Sequence, residues 1–230
     1  MKQSIVASVL AVLATAAGIL VALGPPAGAQ GGGTIVGEVK LAGPAPAPKT
    51  VKVNKDNQVC GEEKKVTEVA VGPNGGVAYT IVSVPGTKAA KTAVVLDQKG
   101  CEFRPHVVTM PPGELKILNS DGVLHNIHTF STANPPVNKA QPKFRKEMVE
   151  KFEKPELIKV QCDAHSWMLG WIYVTENAVT VTDANGAFKL ENVPAGKHKV
   201  EVTHPVLGKQ TKEVEVKAGQ EAKVAFELKK

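Results

Sequence analysis

Turn-forming residues recur so often after residue 33 that short extended segments are nearly all the chain has room for. The stretches 72–76 (GPNGG), 111–113 (PPG), 183–186 (DANG), 194–196 (PAG) and 218–219 (AG) punctuate it. Asn-Gly and Gly-Gly pairs are strong hairpin signals. Between them lie alternating or apolar runs at 77–84, 92–97, 115–119, 122–130, 156–162 and 170–175, each strand-sized. Residues 34–43 read as a strand broken by Gly37, and 103–110 leads through Pro111-Pro112-Gly113 into 115–119 as a hairpin-like pair. Residues 143–152 (KFRKEMVEKF) predict a helical turn or two. The expected fold class is all-β.

The first thirty residues are of a different kind. Lys2 gives a positive start, Ile5 to Leu23 is an uncharged apolar run, and Ala27-Gly28-Ala29 offers a small-x-small cleavage site. Residues 1–29 therefore read as an export signal, placing the rest in the periplasm or otherwise outside the cytoplasm. The run also approaches the ~20 residues that span a bilayer, so membrane attachment is expected only if the signal stays uncleaved.

Cysteine usage fits export. Oxidising compartments favour pairing, yet the chain has three cysteines. Cys60 and Cys101 both sit beside glycine at turn-like segments, outside any metal-ligand spacing. Pairing them would close a loop of about 40 residues, worth about 4 kcal/mol in the chain-entropy model. Cys162 is then the odd thiol. The alternation of 156–162 puts it on the same strand face as Ile158 and Val160. His165 follows three residues later and Met168 three after that.

A distant histidine, His125 in the run 119–130, completes a set of types. One histidine on a strand, with Cys, His and Met clustered on one loop, is how a β-sandwich builds a trigonal His2Cys copper site with a weak axial methionine. The soft thiolate stabilises Cu(I), imidazole suits both oxidation states, and the thioether tunes the potential. Zinc can also occupy such a site adventitiously.

These residues carry a resemblance. The run 103–126 (FRPHVVTMPPGELKILNSDGVLHN) and the run 162–174 (CDAHSWMLGWIYV) resemble the cupredoxins, the plastocyanin, azurin and amicyanin family of blue copper proteins. The Cys-x2-His-x2-Met spacing is similar to the short ligand loop of amicyanin. The resemblance implies a Greek-key β-sandwich over 76–175 and one type 1 copper held by His125, Cys162, His165 and Met168. It also implies Asn126 as a brace of the ligand loop and the exposed edge of His165 as the electron port. Residues 182–228 resemble a carboxypeptidase regulatory-like, transthyretin-type β-sandwich. Residues 176–230 are expected to form that smaller domain. Residues 30–75, an N-terminal strand and a Pro-rich linker, would contribute the strand to it, leaving the cupredoxin as an insertion. The fusion resembles exported methylamine-utilisation or plastocyanin-like proteins.

Other residues stay open. His128 faces away from His125 on an ideal strand, and His106 has no fixed role in the resemblance. Together they suggest a secondary metal or proton site, or two structural histidines. Trp167 and Trp171 read equally as a docking rim or as packing. The formal net charge of +6 is spread along the chain, and 139–159 carries seven Lys or Arg against four Glu. That is a solvated surface or a steering patch. With ten aromatics and no basic recognition helix, nucleic acid is not an expected partner. No nucleophile–base pair or phosphate loop appears, so an enzyme is not expected. The expected function is single-electron transfer with an unidentified cytochrome or dehydrogenase. The alternative is copper storage or delivery without a redox partner.

Overall fold

The computed structural model of the chain describes residues 31–88 and 93–230, and the expected export signal at 1–29 lies outside them. In chain order the elements are β1 (Gly33–Leu41), β2 (Lys49–Lys52), a helical turn α1 (Asn57–Cys60), β3 (Glu63–Val66), β4 (Ile81–Val84) and β5 (Val95–Gln98). Then come β6 (Phe103–Arg104), β7 (Val107–Met110), β8 (Gly113–Asn119), β9 (His125–Thr129), β10 (Asn138–Gln141) and β11 (Glu147–Phe152). The last are β12 (Glu156–Gln161), β13 (Leu169–Val174), β14 (Ala178–Val181), β15 (Ala187–Val193), β16 (Gly196–His204), β17 (Gly208–Val216) and β18 (Glu221–Leu228). The fold is all-β, as the turn spacing requires.

Two sheets, ordered β10-β9-β12-β13-β7 and β11-β8-β5-β6, enclose the first core. Period-two alternation builds it. Along β12, Ile158 and Val160 point inward, with Cys162 just beyond, and Leu115 and Ile117 on β8 face them from the other sheet. Ile117, Ile127, Ile158 and Ile172 are fully buried, each contributing about 1.5–3 kcal/mol. The ribbon of β2 and β3, with α1 in its connection, lies against this core through Val53 and Cys60.

A second pair of sheets, β15-β1-β18 and β14-β4-β16-β17, encloses a separate core. β1 runs parallel to β18 and antiparallel to β15, so the N-terminal strand is part of the C-terminal sandwich. Gly37 does not break it. A side chain there would collide with the Val224 carbonyl and the Phe188 ring, so glycine lets those groups close over a continuous strand.

Three expectations are corrected. Residues 147–152 form a strand on β8, because Met148, Glu150 and Phe152 alternate inward while Lys151 and Glu147 face outward to pair with Glu114 and Lys116 across the ladder. The 103–119 segment is not a hairpin, because β7 joins β13 in one sheet and β8 joins β5 and β11 in the other. The expected 76–175 unit loses its beginning. β4 pairs with β14 and β16, and Val77, Val82 and Val84 fill the second core.

Candidate metal centre

The site begins with three side chains from two places. His125 is the first residue of β9, and Cys162 and His165 lie on the turn joining β12 to β13. The turn is closed by its own backbone: Met168 N–H donates to the His165 carbonyl at 2.9 Å and Cys162 N–H to the Met168 carbonyl at 3.3 Å. All three donor side chains are buried, His125 and His165 fully. His125 Nδ1 lies 3.0 Å from His165 Nδ1, and Cys162 Sγ lies 4.0 Å and 3.7 Å from those two nitrogens.

The outer ring nitrogens are held by carboxylates. Asp121 Oδ2 accepts from His125 Nε2 at 2.8 Å, and Asp56 Oδ2 accepts from His165 Nε2 at 3.0 Å. Asp121 is anchored in turn by the N–H groups of Gly100 and Cys101, each at 2.8 Å. Burial alone would raise its carboxyl, but the donors Cys101 N–H, His125 and Gly100 N–H outweigh it and hold the group below its usual range. Burial pulls the His165 imidazolium down, opposed by the bond to Asp56. Burial likewise pushes the Cys162 thiol up, against N–H donation from Asn126, His165 and Ala164.

This pattern constrains what sits between the rings. With each Nε2–H given to a carboxylate, each neutral imidazole has its lone pair on Nδ1. The two Nδ1 atoms face each other at 3.0 Å beside a sulfur that receives the Asn126 N–H at 3.4 Å, and between two neutral rings two lone pairs would meet there. Acceptors without a shared proton or cation repel in a dry site. Metal–nitrogen bonds of about 2.0 Å and metal–sulfur bonds of about 2.3 Å put the donors of a trigonal site about 3.4–3.8 Å apart. The three observed edges, 3.0, 3.7 and 4.0 Å, bracket that range. The donor set fits a soft or borderline metal ion.

Asn126 ties the two halves together. Its Oδ1 accepts from Asp163 N–H, and its Nδ2 donates to Asn138 Oδ1 at 2.8 Å and Asp163 Oδ2 at 3.2 Å. Met168 is 1 % exposed and belongs to the first core. Trp167 packs beside His165 with ring centroids 5.1 Å apart, and its Nε1 donates to the Cys101 carbonyl at 3.1 Å. Its indole is 8 % exposed.

Cys60 and Cys101 form a disulfide, and both sulfurs lie within 4.8 Å of a ring nitrogen of His165. This corrects one expectation. His165 has no exposed edge, because Asp56, the turn α1 and the disulfide cover it. A second correction concerns His106 and His128. They cannot share a site, because β7, which follows His106, is separated from β9 by β12 and β13, roughly 14 Å at about 4.8 Å per strand. His128 instead bonds Asp163 at 2.9 Å and stacks on Phe130, while the His106 ring lies 4.6 Å from that of Tyr79.

Sequence reasoning passed over Asp56 and Asp121. Asp121 precedes His125 by four residues in a Ser-Asp-Gly turn, a weak local signal. Asp56 lies 109 residues before His165, and only the disulfide expectation hinted at the proximity.

Residues 172–229 match the carboxypeptidase regulatory-like domain family. The match begins inside β13 and leaves out β1 and β4, which the sheets add to the same sandwich. No curated protein matches the chain. Among solved structures, it is similar to the Cu-containing nitrite reductase from Thermus scotoductus SA-01, at 24% identity and a TM-score of 0.34 over 40% of this chain and 24% of that one. The chain thus spans about a quarter of that relative. A methionine-to-alanine mutant of amicyanin, in its Cu(I) form, is similar at 15% identity and a TM-score of 0.33, over 41% of this chain and 98% of that one. A purple cupredoxin from Nitrosopumilus maritimus matches at 19% identity and a TM-score of 0.31, over 36% of this chain and 99% of that one.

Proposed function

We propose that the chain is an exported type 1 copper protein carrying single electrons between protein partners. His125, Cys162 and His165 would hold the copper, with Met168 as a weak further donor. The observation that carries this reading is the convergence of the two Nδ1 atoms and the Cys162 sulfur, each ring fixed from behind by a carboxylate. Copper bound there would supply a Cu(II)/Cu(I) one-electron couple. The chain's own part is to hold the donors still: Asn126 braces the turn, Asp121 and Asp56 fix both ring orientations, and the first core excludes water. Carboxylate partners of this kind also raise imidazole basicity. Met168 would be the weak fourth donor, and the turn ties its carbonyl to Cys162 N–H.

The 53–62 segment covers His165 and would stand between the copper and a partner; Asp56 in it is 34 % exposed. A cytochrome or dehydrogenase is the class of partner proposed. A four-donor set leaves no position for substrate, so catalysis is not part of the proposal. Export is supported by the disulfide, which persists in oxidising compartments, and by the apolar N-terminal run. Among the described residues no helix is long and apolar enough to cross a membrane. The burial of His165 gives the storage reading its one specific support. Rapid, reversible electron exchange with a soluble redox protein separates the two. Cys162→Ala is the test of the ligand set: it should remove the intense thiolate-to-copper visible band, and a band that survives would refute the assignment.

A further inference from the structure

Where the two sandwiches meet, a cavity of about 500 Å³ opens between them, a size typical of small-molecule sites. Its walls include Tyr79, Phe103, Trp167 and Trp171, with His106 and His204 set among them. The residues come from both units, so neither sandwich alone would form it. Tyr79 contributes an unusual feature. It sits at φ 61, a region aromatic side chains rarely adopt, and it is 41 % exposed with its ring against His106. That conformation takes it out of the run expected to be a strand.

The polar groups in these walls have defined roles. His204 is 4 % exposed, and its Nδ1 accepts from Val206 N–H at 3.1 Å and Leu207 N–H at 3.3 Å. Burial first, and the nearby His106 second, pull its pKa down to about 4, so the ring is neutral. A neutral imidazole accepting at Nδ1 carries its proton on Nε2, and no acceptor for that proton stands among the described residues. His204 lines the cavity, so that donor is left for whatever occupies it. Burial pulls the His106 pKa down, and a neutral imidazole keeps one ring nitrogen as an acceptor. The charges near the walls are mostly matched: Lys64 and Arg104 both meet Glu102, at 3.6 and 3.1 Å, and Glu68 meets Lys230 at 3.2 Å. Lys65, an exposed lining residue, has no ion pair among the described residues, and one such solvated charge does not build a site for a strongly charged ligand.

From the aromatic walls, the unpartnered His204 Nε2–H and the His106 acceptor, we infer that this cavity binds a small, uncharged phenolic ring. The ring stacks on the aromatic walls, while its hydroxyl accepts from His204 and donates to His106. Met168 also lines the cavity, so a bound ring lies beside the proposed axial donor. The inference itself does not rest on copper.

The chain's two tryptophans, Trp167 and Trp171, both line the cavity, so tryptophan emission reports on it directly. The full chain, with and without added copper, is titrated with 4-methylphenol and then with 4-methylanisole, which keeps the shape but cannot donate. The expected result is a saturable change in emission, at least about tenfold weaker for the anisole, since a buried acceptor is left unpaired. His204→Phe keeps volume and should weaken 4-methylphenol binding by about tenfold, while His204→Gln, which keeps an N–H, should restore part of it. Tyr79→Ala, at a half-exposed position, should weaken binding without unfolding the chain. No saturable change, or equal binding of the two probes, overturns the inference. Either result is read without copper, so it stands apart from the fate of the metal site.

Discussion

Replacing Asp56 by asparagine isolates what the carboxylate does for His165. Asparagine tolerates the left-handed backbone that Asp56 adopts at φ 57, so α1 and the disulfide should keep their places. The change turns a charge-assisted hydrogen bond of about 1.5–3 kcal/mol into a neutral one of about 0.5–1.5. The carboxylate is 34 % exposed, and contact with water puts its charged contribution at the lower end. The net loss is then at most about 1 kcal/mol, or about fivefold in binding. A less basic imidazole disfavours Cu(II) more than Cu(I), so the loss should fall mainly on the oxidised form. For one electron a tenfold change in a binding ratio corresponds to about 59 mV. Asp56→Asn should therefore bind Cu(II) up to about fivefold more weakly in chelator competition and raise the reduction potential by up to about 40 mV in a spectroelectrochemical titration. A folded variant with unchanged affinity and unchanged potential would refute the reasoning.

Two further outcomes are expected. Removing the disulfide with Cys60→Ala and Cys101→Ala should destabilise the first sandwich by about 4 kcal/mol in the chain-entropy model, for a sequence separation of 41 residues. The urea midpoint followed by Trp167 and Trp171 emission reads it, and a change below about 1 kcal/mol would contradict it. Glu156 caps the 132–134 loop, accepting from the N–H groups of Thr132 and Ala133 and from the side chain of Asn134. Although burial opposes it, those donors hold its pKa at about 2 against an ordinary 4.5. A depressed carboxyl stabilises above its unfolded pKa, so Glu156→Gln should lower stability at pH 7 by roughly 1 kcal/mol, a figure reduced for its contact with water. That difference should fade as pH drops from about 4.5 towards 2. A constant difference across that window would argue against the cap.

Much of this architecture was legible because strand alternation and turn chemistry are local. The inward phase of Ile158, Val160 and Cys162 followed from period two, and the pairing of β1 with the C-terminal sandwich from the resemblance and from a segment too short to stand without another strand. Residues 147–152 misled because charged residues at mixed spacing suit an exposed edge strand as well as a helix, and only the ladder to β8 decides between them. The placement of β4 was hidden for a similar reason: an apolar run says that it is buried, not which core buries it. At the site, donor types and spacing pointed to His125, Cys162 and His165. Their coverage by Asp56, α1 and the disulfide is tertiary, and nothing local in the 53–62 segment announces it.

The most direct test of the account is to add Cu(II) to the purified protein and record visible and EPR spectra before and after ascorbate. The account predicts an intense thiolate-to-copper band with narrow copper hyperfine splitting, bleached by ascorbate and restored by reoxidation. A pale spectrum with wide splitting would contradict it, since Cys162 would not be bonded to the metal.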